Sequence, residues 1–217
     1  FKNHFEEKKI LNLSGRVFSG IVEFETTKKL EGYEKIAFRK GFDKYLLTDT
    51  QRIPITEDYT NIYTYLAEVK NLEPNEVEYL MPTVSESDLR IGDDFIENSN
   101  IGLKIENGAI FVNGIKMSLI DFVDLGDSYN CGPKADDAGV EFKILRSKAV
   151  LKTPTRATLK IDFEGTWDII PLYVTLDKHS ASLKFVFDWI NTQKNHLITD
   201  FFYFFIKILY FFYVVLN

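Results

Sequence analysis

Short runs of alternating apolar and polar residues recur along the chain, and this period of two constrains the fold more than any other feature. Alternation sends successive side chains to opposite faces of a strand, so each run predicts a half-buried β-strand. The runs are Ile21–Phe24, Tyr63–Val69, Val77–Tyr79, Val140–Ile144, Leu159–Phe163 and Leu183–Trp189. No stretch keeps a helical apolar stripe over three turns. The sequence therefore predicts an all-β protein, an antiparallel β-sandwich.

The clearest local signal is a hairpin. Ile101, Leu103 and Ile105 alternate with other residues, and Asn107–Gly108 separates them from the apolar run Ile110–Val112. Asn and Gly both accept the positive φ that a two-residue hairpin turn requires. The sequence therefore predicts a tight turn at Asn107–Gly108.

A polar loop follows the next apolar stretch. After Leu119–Val123 the chain reads DLGDSYN over residues 124–130, and Asp121, Asp124 and Asp127 recur every three residues. This spacing does not fit the ligand pattern of a helix-loop-helix calcium site. Taken alone, such an acidic loop is typical of a solvated surface.

Composition narrows the classes of function. The net charge is -6 and the pI about 5.2, so no basic face suited to nucleic acid is expected. The only cysteine, Cys131, fits a reducing compartment and slightly favours the cytoplasm. No signal peptide is visible after Phe1, and the triplet Asn12–Ser14 fits the N-glycosylation pattern.

The last seventeen residues, FFYFFIKILYFFYVVLN, are apolar except for Lys207 and Asn217. The run is short for a membrane span and carries a charge, so it does not favour membrane association. We expect the native reading to end around Leu197–Asp200, with a frameshift or truncated gene supplying the rest. A membrane anchor is the alternative.

Several motifs carry a resemblance to a known family. The segment Asn98–Ile105, the turn Asn107–Gly108 and the loop Gly126–Asn130 with Pro133 resemble the region after the catalytic domain in glycoside hydrolase family 38, the α-mannosidases. The matching pieces nearer the ends are Leu11–Leu13, Arg16, Gly20–Glu23, Ile190–Thr192 and Asn195–Leu197. Leu13 stands where the family has proline, Asn195 replaces an aspartate, and the arginine of that last motif is missing.

Acidic and small residues replace apolar ones between Met81 and Asp94, which indicates a boundary, and the resemblance implies what lies on either side of it. Residues 1–82 would form a small β-sandwich unit, 83–94 a linker and 95–200 part of a larger β-sandwich, while 201–217 is a tail without a family counterpart. The sandwiches would pack on a catalytic domain that hydrolyses α-mannosides with retention, using zinc and a carboxylate nucleophile. The family's zinc-binding and nucleophile motifs have no counterpart in this sequence. No cofactor is therefore expected in this chain, and the chain alone is predicted to be inactive.

The resemblance also implies two substrate-binding residues, Tyr129 and Asp127, because the family's loop reaches the rim of the active site. A phenol suits this role, since it offers a donor and an acceptor on a rigid plate. Asp127 has an alternative role as a cap of the turn. The three histidines, His4, His179 and His196, are far apart and predict no zinc site.

Two alternatives stay open. The chain is a stand-alone carbohydrate-binding or interaction module, for which an exposed aromatic platform is expected, or a gene remnant that does not fold stably. Trp167, near Gly165, is the better candidate for exposure. Trp189 alternates with Phe185 and Phe187 and is predicted to lie in the core.

Overall fold

A computed structural model describes most of the chain. The described residues are 8–40, 45–47, 52–54, 61–82, 86–123, 134, 136–165, 169–188 and 196–202. They contain strands and turns and no helix, and every paired strand is antiparallel to its neighbour. The all-β antiparallel prediction is therefore confirmed. The chain divides into two compact units, residues 1–86 and 87–217.

The first unit contains seven described strands. They are β1 (Lys9–Leu11), β2 (Phe18–Thr26), β3 (Glu34–Arg39), β4 (Tyr45–Leu47), β5 (Arg52–Pro54), β6 (Ile62–Leu72) and β7 (Val77–Tyr79). A three-stranded sheet has the order β2-β6-β3, while β1 pairs with β7 and β4 with β5. The long central strand β6 supplies most of this unit's buried residues, Tyr65, Leu66, Ala67, Val69 and Leu72.

Asn12 lies between β1 and β2 and holds this unit together. Its side-chain amide donates to the carbonyls of Arg16 and Leu72, at 2.8 Å each, and its oxygen accepts from the backbone N–H of Ser14 at 3.0 Å. The side chain is 6% exposed. A glycan on this amide would break these bonds, so the glycosylation triplet here serves the fold.

One predicted alternation has its faces reversed. Val77 and Tyr79 are 53% and 46% exposed, whereas Glu78 between them is half-buried. Their partners Leu11 and Lys9 are also exposed, so the β1–β7 pair turns this side outward and packs Ile10 inward. The strand exists as predicted, but its apolar side chains do not form core.

The second unit contains eleven described strands. They are β8 (Arg90–Ile91), β9 (Phe95–Glu97), β10 (Gly102–Glu106), β11 (Ala109–Val112), β12 (Ile115–Val123), β13 (Val140–Glu141), β14 (Lys143–Lys152), β15 (Arg156–Glu164), β16 (Ile169–Asp177), β17 (Lys184–Phe187) and β18 (His196–Phe202). One sheet has the order β13-β12-β11-β10-β9-β8, with β18 also paired to β12, and the other has the order β14-β15-β16-β17.

The two sheets of the second unit share one apolar core. The first sheet contributes Ile96, Leu103, Ile110, Val112, Met117 and Leu119, and the second contributes Ala157, Leu159, Ile161, Phe163, Ile170, Leu172, Val174 and Leu176. All are at most 5% exposed. Inward alternation from two facing sheets is the arrangement of a β-sandwich.

Two Asn-Gly turns set the register of the first sheet. Asn107 and Gly108 have φ of 52° and 75° and close the predicted hairpin between β10 and β11. Asn113 and Gly114, with φ of 48° and 81°, close the next hairpin between β11 and β12. Both are the turns that the right-handed twist of paired strands favours. The first was predicted; the second carries the same dipeptide signal.

The run Val140–Ile144 is two strands rather than one. Val140 and Glu141 pair with β12, whereas Lys143 begins β14 in the opposite sheet, and Phe142 between them is buried in the core. A period-two pattern continues across such a crossing because both strands face the same core. The one-strand interpretation is therefore wrong.

The domain boundaries keep the status of a prediction. Strand β8 lies inside the range 83–94 assigned to a linker, and β18 runs to Phe202, two residues into the range 201–217 assigned to a tail. Residues 203–217 lie outside the described residues, as do Trp167 and Trp189.

Candidate functional site

The two predicted substrate-binding residues, Tyr129 and Asp127, lie outside the described residues, together with Asp124 and Cys131. What the structure describes is the base of their loop. Strand β12 ends at Val123, and the description resumes at Lys134.

Backbone bonds join the two ends of this loop. The N–H of Lys134 donates to the carbonyl of Val123 at 3.0 Å, and the N–H of Asp137 donates to the carbonyl of Lys134 at 3.2 Å. The Asp137 carboxylate then accepts from the N–H of Val123 at 2.7 Å and from the N–H of Gly139 at 3.0 Å. Val123 and Lys134, which flank residues 124–133 in the sequence, therefore lie next to each other.

The charge of Asp137 is stabilised by these contacts. The backbone N–H of Val123, then that of Gly139 and the charge of Lys134, lower the pKa of Asp137 against a smaller opposing effect of burial. Gly139 has a φ of 70°, and a Cβ there would overlap Ile120 and Phe122. This position therefore requires glycine, which keeps Asp137 close to the end of β12.

An acidic cleft of about 280 Å³ lies beside the same end of β12. Its lining residues include Asp121, Glu141, Glu164 and Lys143. Asp121 is 8% exposed and belongs to a strand, so the solvated-loop interpretation is wrong for this residue. The pKa of Glu141 is lowered by hydrogen bonds from Lys116 and Ser118. Such groups can hydrogen-bond hydroxyls.

A second polar cluster lies at the opposite end of the sandwich, around Asn98. Its amide donates to the carbonyls of Asp177 (3.1 Å) and Ser180 (2.8 Å), and its oxygen accepts from the backbone N–H groups of Asn100 (2.8 Å) and Ile101 (2.9 Å). Asn98 therefore ties the β9–β10 turn to the β16–β17 turn. Sequence reasoning matched this residue to a motif without assigning it this role.

Asp88 completes this cluster. It accepts from the Ser99 hydroxyl at 2.7 Å and from the backbone N–H of His179 at 3.1 Å, and the His179 Nδ1 lies 3.2 Å away. Burial alone would raise the pKa of Asp88, but hydrogen bonds from Ser99 and His179, with the charge of His179, lower it to about 2. The geometry is that of a structural tie between turns.

Neither a metal-binding cluster nor a membrane-spanning helix is present in the described part of the chain. Its residues form no group of three or more His, Cys, Asp or Glu side chains placed to hold a metal ion. The resemblance assigns its zinc to a catalytic domain outside these residues. None of the described segments is a helix of the length and apolarity that crossing a membrane demands.

The fold is an antiparallel β-sandwich, and comparisons with known proteins show where a similar fold occurs. No protein-family model matches the sequence, and no curated protein matches it. Several solved structures match the fold, among them two from Enterococcus faecalis. An alpha-mannosidase from Enterococcus faecalis V583 gives a TM-score of 0.59 at 19% identity, and a protein in glycosyl hydrolase family 38 from Enterococcus faecalis gives 0.59 at 17%.

The two matches cover much more of this chain than of the solved chains. Each match takes in 88% of this chain but only 30% and 32% of the respective solved chains. The resemblance to family 38 is therefore confirmed at the level of the fold, and this chain corresponds to about a third of each matched protein.

Proposed function

We propose that this chain is the non-catalytic β-sandwich part of an α-mannosidase-like glycoside hydrolase. In this proposal it packs on, and supports the active site of, a zinc-dependent retaining domain encoded outside it. The observation that carries the proposal is the fold match, which takes in 88% of this chain and 30% of an alpha-mannosidase. The order of the family-like motifs along the sequence supports it independently.

The carboxyl groups of the described residues support a non-catalytic role. A glycosidase needs one carboxyl with a raised pKa as its general acid. The groups with a resolved shift, Asp88, Asp137, Glu141 and Asp162, all have a lowered pKa. They are held ionised by N–H donors, a hydroxyl or cations, which suits structural ties.

The loop 124–133 is the proposed contribution of this chain to substrate binding. Asp137 and the Val123–Lys134 bond fix the base of the loop. A loop with a fixed base can present a side chain from its tip to a neighbouring surface. Tyr129 is proposed to hydrogen-bond a mannoside hydroxyl, with Asp127 as a second contact or as a cap of the turn.

Replacing Tyr129 by Phe in the longer polypeptide encoded with the upstream sequence tests this role. We expect kcat/KM for an aryl α-mannoside to fall roughly threefold to tenfold, because one hydrogen bond of about 0.5–1.5 kcal/mol is lost. The melting temperature should hardly change. The matched control is Tyr79→Phe, at an exposed position of the first unit, which should leave kcat/KM unchanged.

An unchanged kcat/KM in Tyr129→Phe would remove Tyr129 from the substrate contacts. A marked loss of stability instead would assign its hydroxyl to the loop.

One observation favours the alternative of a stand-alone carbohydrate-binding module. Phe38 is 52% exposed, and its ring centroid lies 5.1 Å from that of Tyr63, which gives an aromatic surface on the first unit. Such a surface can stack on sugar rings. Binding of mannopentaose by the isolated chain, lost in Phe38→Ala, would support this alternative, and no binding would eliminate it.

A further inference from the structure

On the outer face of the β14–β17 sheet, two positively charged side chains lie opposite each other. On β15, Leu159 and Ile161 point into the core, so Thr158, Lys160 and Asp162 point away from it. Most charged residues on this face lie opposite a residue of the other sign. These rows are Lys143 with Glu164, Arg146 with Asp162, and Arg156 with Asp177. Lys148 lies opposite Lys160 instead.

Like charges directly opposite on neighbouring strands are destabilising. The carboxylate of Asp162 lies 2.6 Å from the Arg146 Nε and 3.0 Å from the Lys160 Nζ. One carboxylate therefore pairs with two cations, Arg146 and Lys160. The Arg146–Lys148–Lys160–Asp162 group carries an excess of two positive charges.

Asp162 holds two of the cations in place from beneath. It is 3% exposed, and although burial would raise its pKa, hydrogen bonds from Arg146 and Lys160 lower it. Arg146 uses only its Nε in this bond and keeps a side chain that is 70% exposed. Its other N–H groups can therefore form the bidentate contacts that a planar oxyanion accepts.

An aromatic ring continues the same row. Tyr173 lies opposite Lys160 on the next strand, and the Lys160 Nζ is 5.9 Å from its ring centroid. The row across the sheet thus reads Lys148, Lys160, Tyr173. It offers two ammonium groups beside a partly exposed aromatic plate.

We propose that this row, with Arg146, is a binding site for an acidic saccharide, a pyranose that bears a carboxylate or sulfate group. The oxyanion lies between Arg146, Lys148 and Lys160 and balances their charge, and the sugar ring packs on Tyr173. This site shares no residue with the segment 124–133.

A saccharide fits this surface better than an acidic peptide strand. A peptide would add to the open edge of β14, but that strand is interrupted by irregularities around Leu145 and Val150. Asp93 also accepts a hydrogen bond from the backbone N–H of Ala149 at 3.0 Å. Bulges and side-chain contacts of this kind protect an edge from added strands.

Calorimetric titration of the purified chain with a galacturonic acid hexasaccharide tests the proposal. The fully methyl-esterified hexasaccharide is the matched ligand without charge. We expect the acid form to bind at least about tenfold more tightly, and its affinity to fall as salt is added. Equal affinity for the two forms would overturn the proposal, as would tighter binding of polyglutamate or of inorganic sulfate.

Two variants separate binding from folding. Lys148→Gln should weaken binding of the acid form about tenfold, while Lys104→Gln, an exposed lysine of the opposite sheet, should leave it unchanged. Lys148→Glu should abolish binding and raise the melting temperature, because it sets opposite charges against each other. If Lys148→Glu still binds the acid form with undiminished affinity, the proposed site is contradicted, whatever the stability of the variant.

Discussion

The side chain of Asn98 bridges two turns of the second unit. Its amide joins two turns from different sheets through four hydrogen bonds to backbone groups. Removing them leaves carbonyl and N–H groups without partners in a partly buried place, which costs about 1–3 kcal/mol. We expect Asn98→Ala to lower the free energy of unfolding by that amount.

Urea unfolding followed by tryptophan fluorescence measures this effect, because Trp167 and Trp189 both belong to the second unit. The control is Asn100→Ala, whose exposed amide makes one bond to the His179 carbonyl at 2.9 Å. Its cost should be about 0.5 kcal/mol or less. Equal losses in the two variants would show that Asn98 has no special role.

Asp88 predicts how stability depends on pH. Folding lowers the pKa of Asp88 from its ordinary value of 3.8 to about 2. The stability that the ionised carboxylate contributes is therefore complete above about pH 5 and is lost as the pH falls towards 2. We expect Asp88→Asn to flatten the fall in unfolding free energy between about pH 4 and 2. An identical acid profile in the variant would rule out this contribution.

The roles of individual residues could be predicted from the sequence in some cases and not in others. The motifs marked Asn98 and Asn12, but a motif does not say which carbonyls an amide meets, since those come from Asp177 and Leu72, far along the chain. The buried carboxylates of Asp121 and Asp162 gave no signal, because burial of a charge depends on partners from other strands. Tyr129 and Asp127 remain predictions.

At the level of elements, turn chemistry was the most reliable guide. Asn107–Gly108 dictates a hairpin through its backbone preferences alone, and the structure contains it. Alternation was weaker. It indicated strands correctly but could not decide which face of Val77–Tyr79 is buried or where Val140–Ile144 changes sheets, because both depend on which strands lie alongside.

The last described strand, β18, predicts the effect of truncation. It pairs with β12 along its whole length: Phe202 lies opposite Met117, and His196 lies opposite Val123. Deleting residues 203–217 keeps all of these pairs, so we expect better solubility with an unchanged melting temperature. Deleting residues 196–217 removes the strand and should lower the melting temperature. Equal and large losses for the two deletions would show that residues 203–217 also belong to the folded core.

For the whole molecule, the fold class followed from the sequence because period-two patterning is a property of each strand by itself. The pairing of β18 with β12 and the division between two sheets did not follow, since both join segments distant in the chain. The proposed function rests on the family-like motifs and on the fold match to about a third of an alpha-mannosidase.

We propose that this chain catalyses nothing alone but is needed by an active site outside it. The measurement is zinc-dependent hydrolysis of an aryl α-mannoside by three samples: the longer polypeptide encoded with the upstream sequence, this chain alone, and the longer polypeptide ending before Leu11. We expect turnover from the first, none from the second and a severe loss in the third. Zinc-dependent turnover by this chain alone, or undiminished activity without it, would contradict the proposed function.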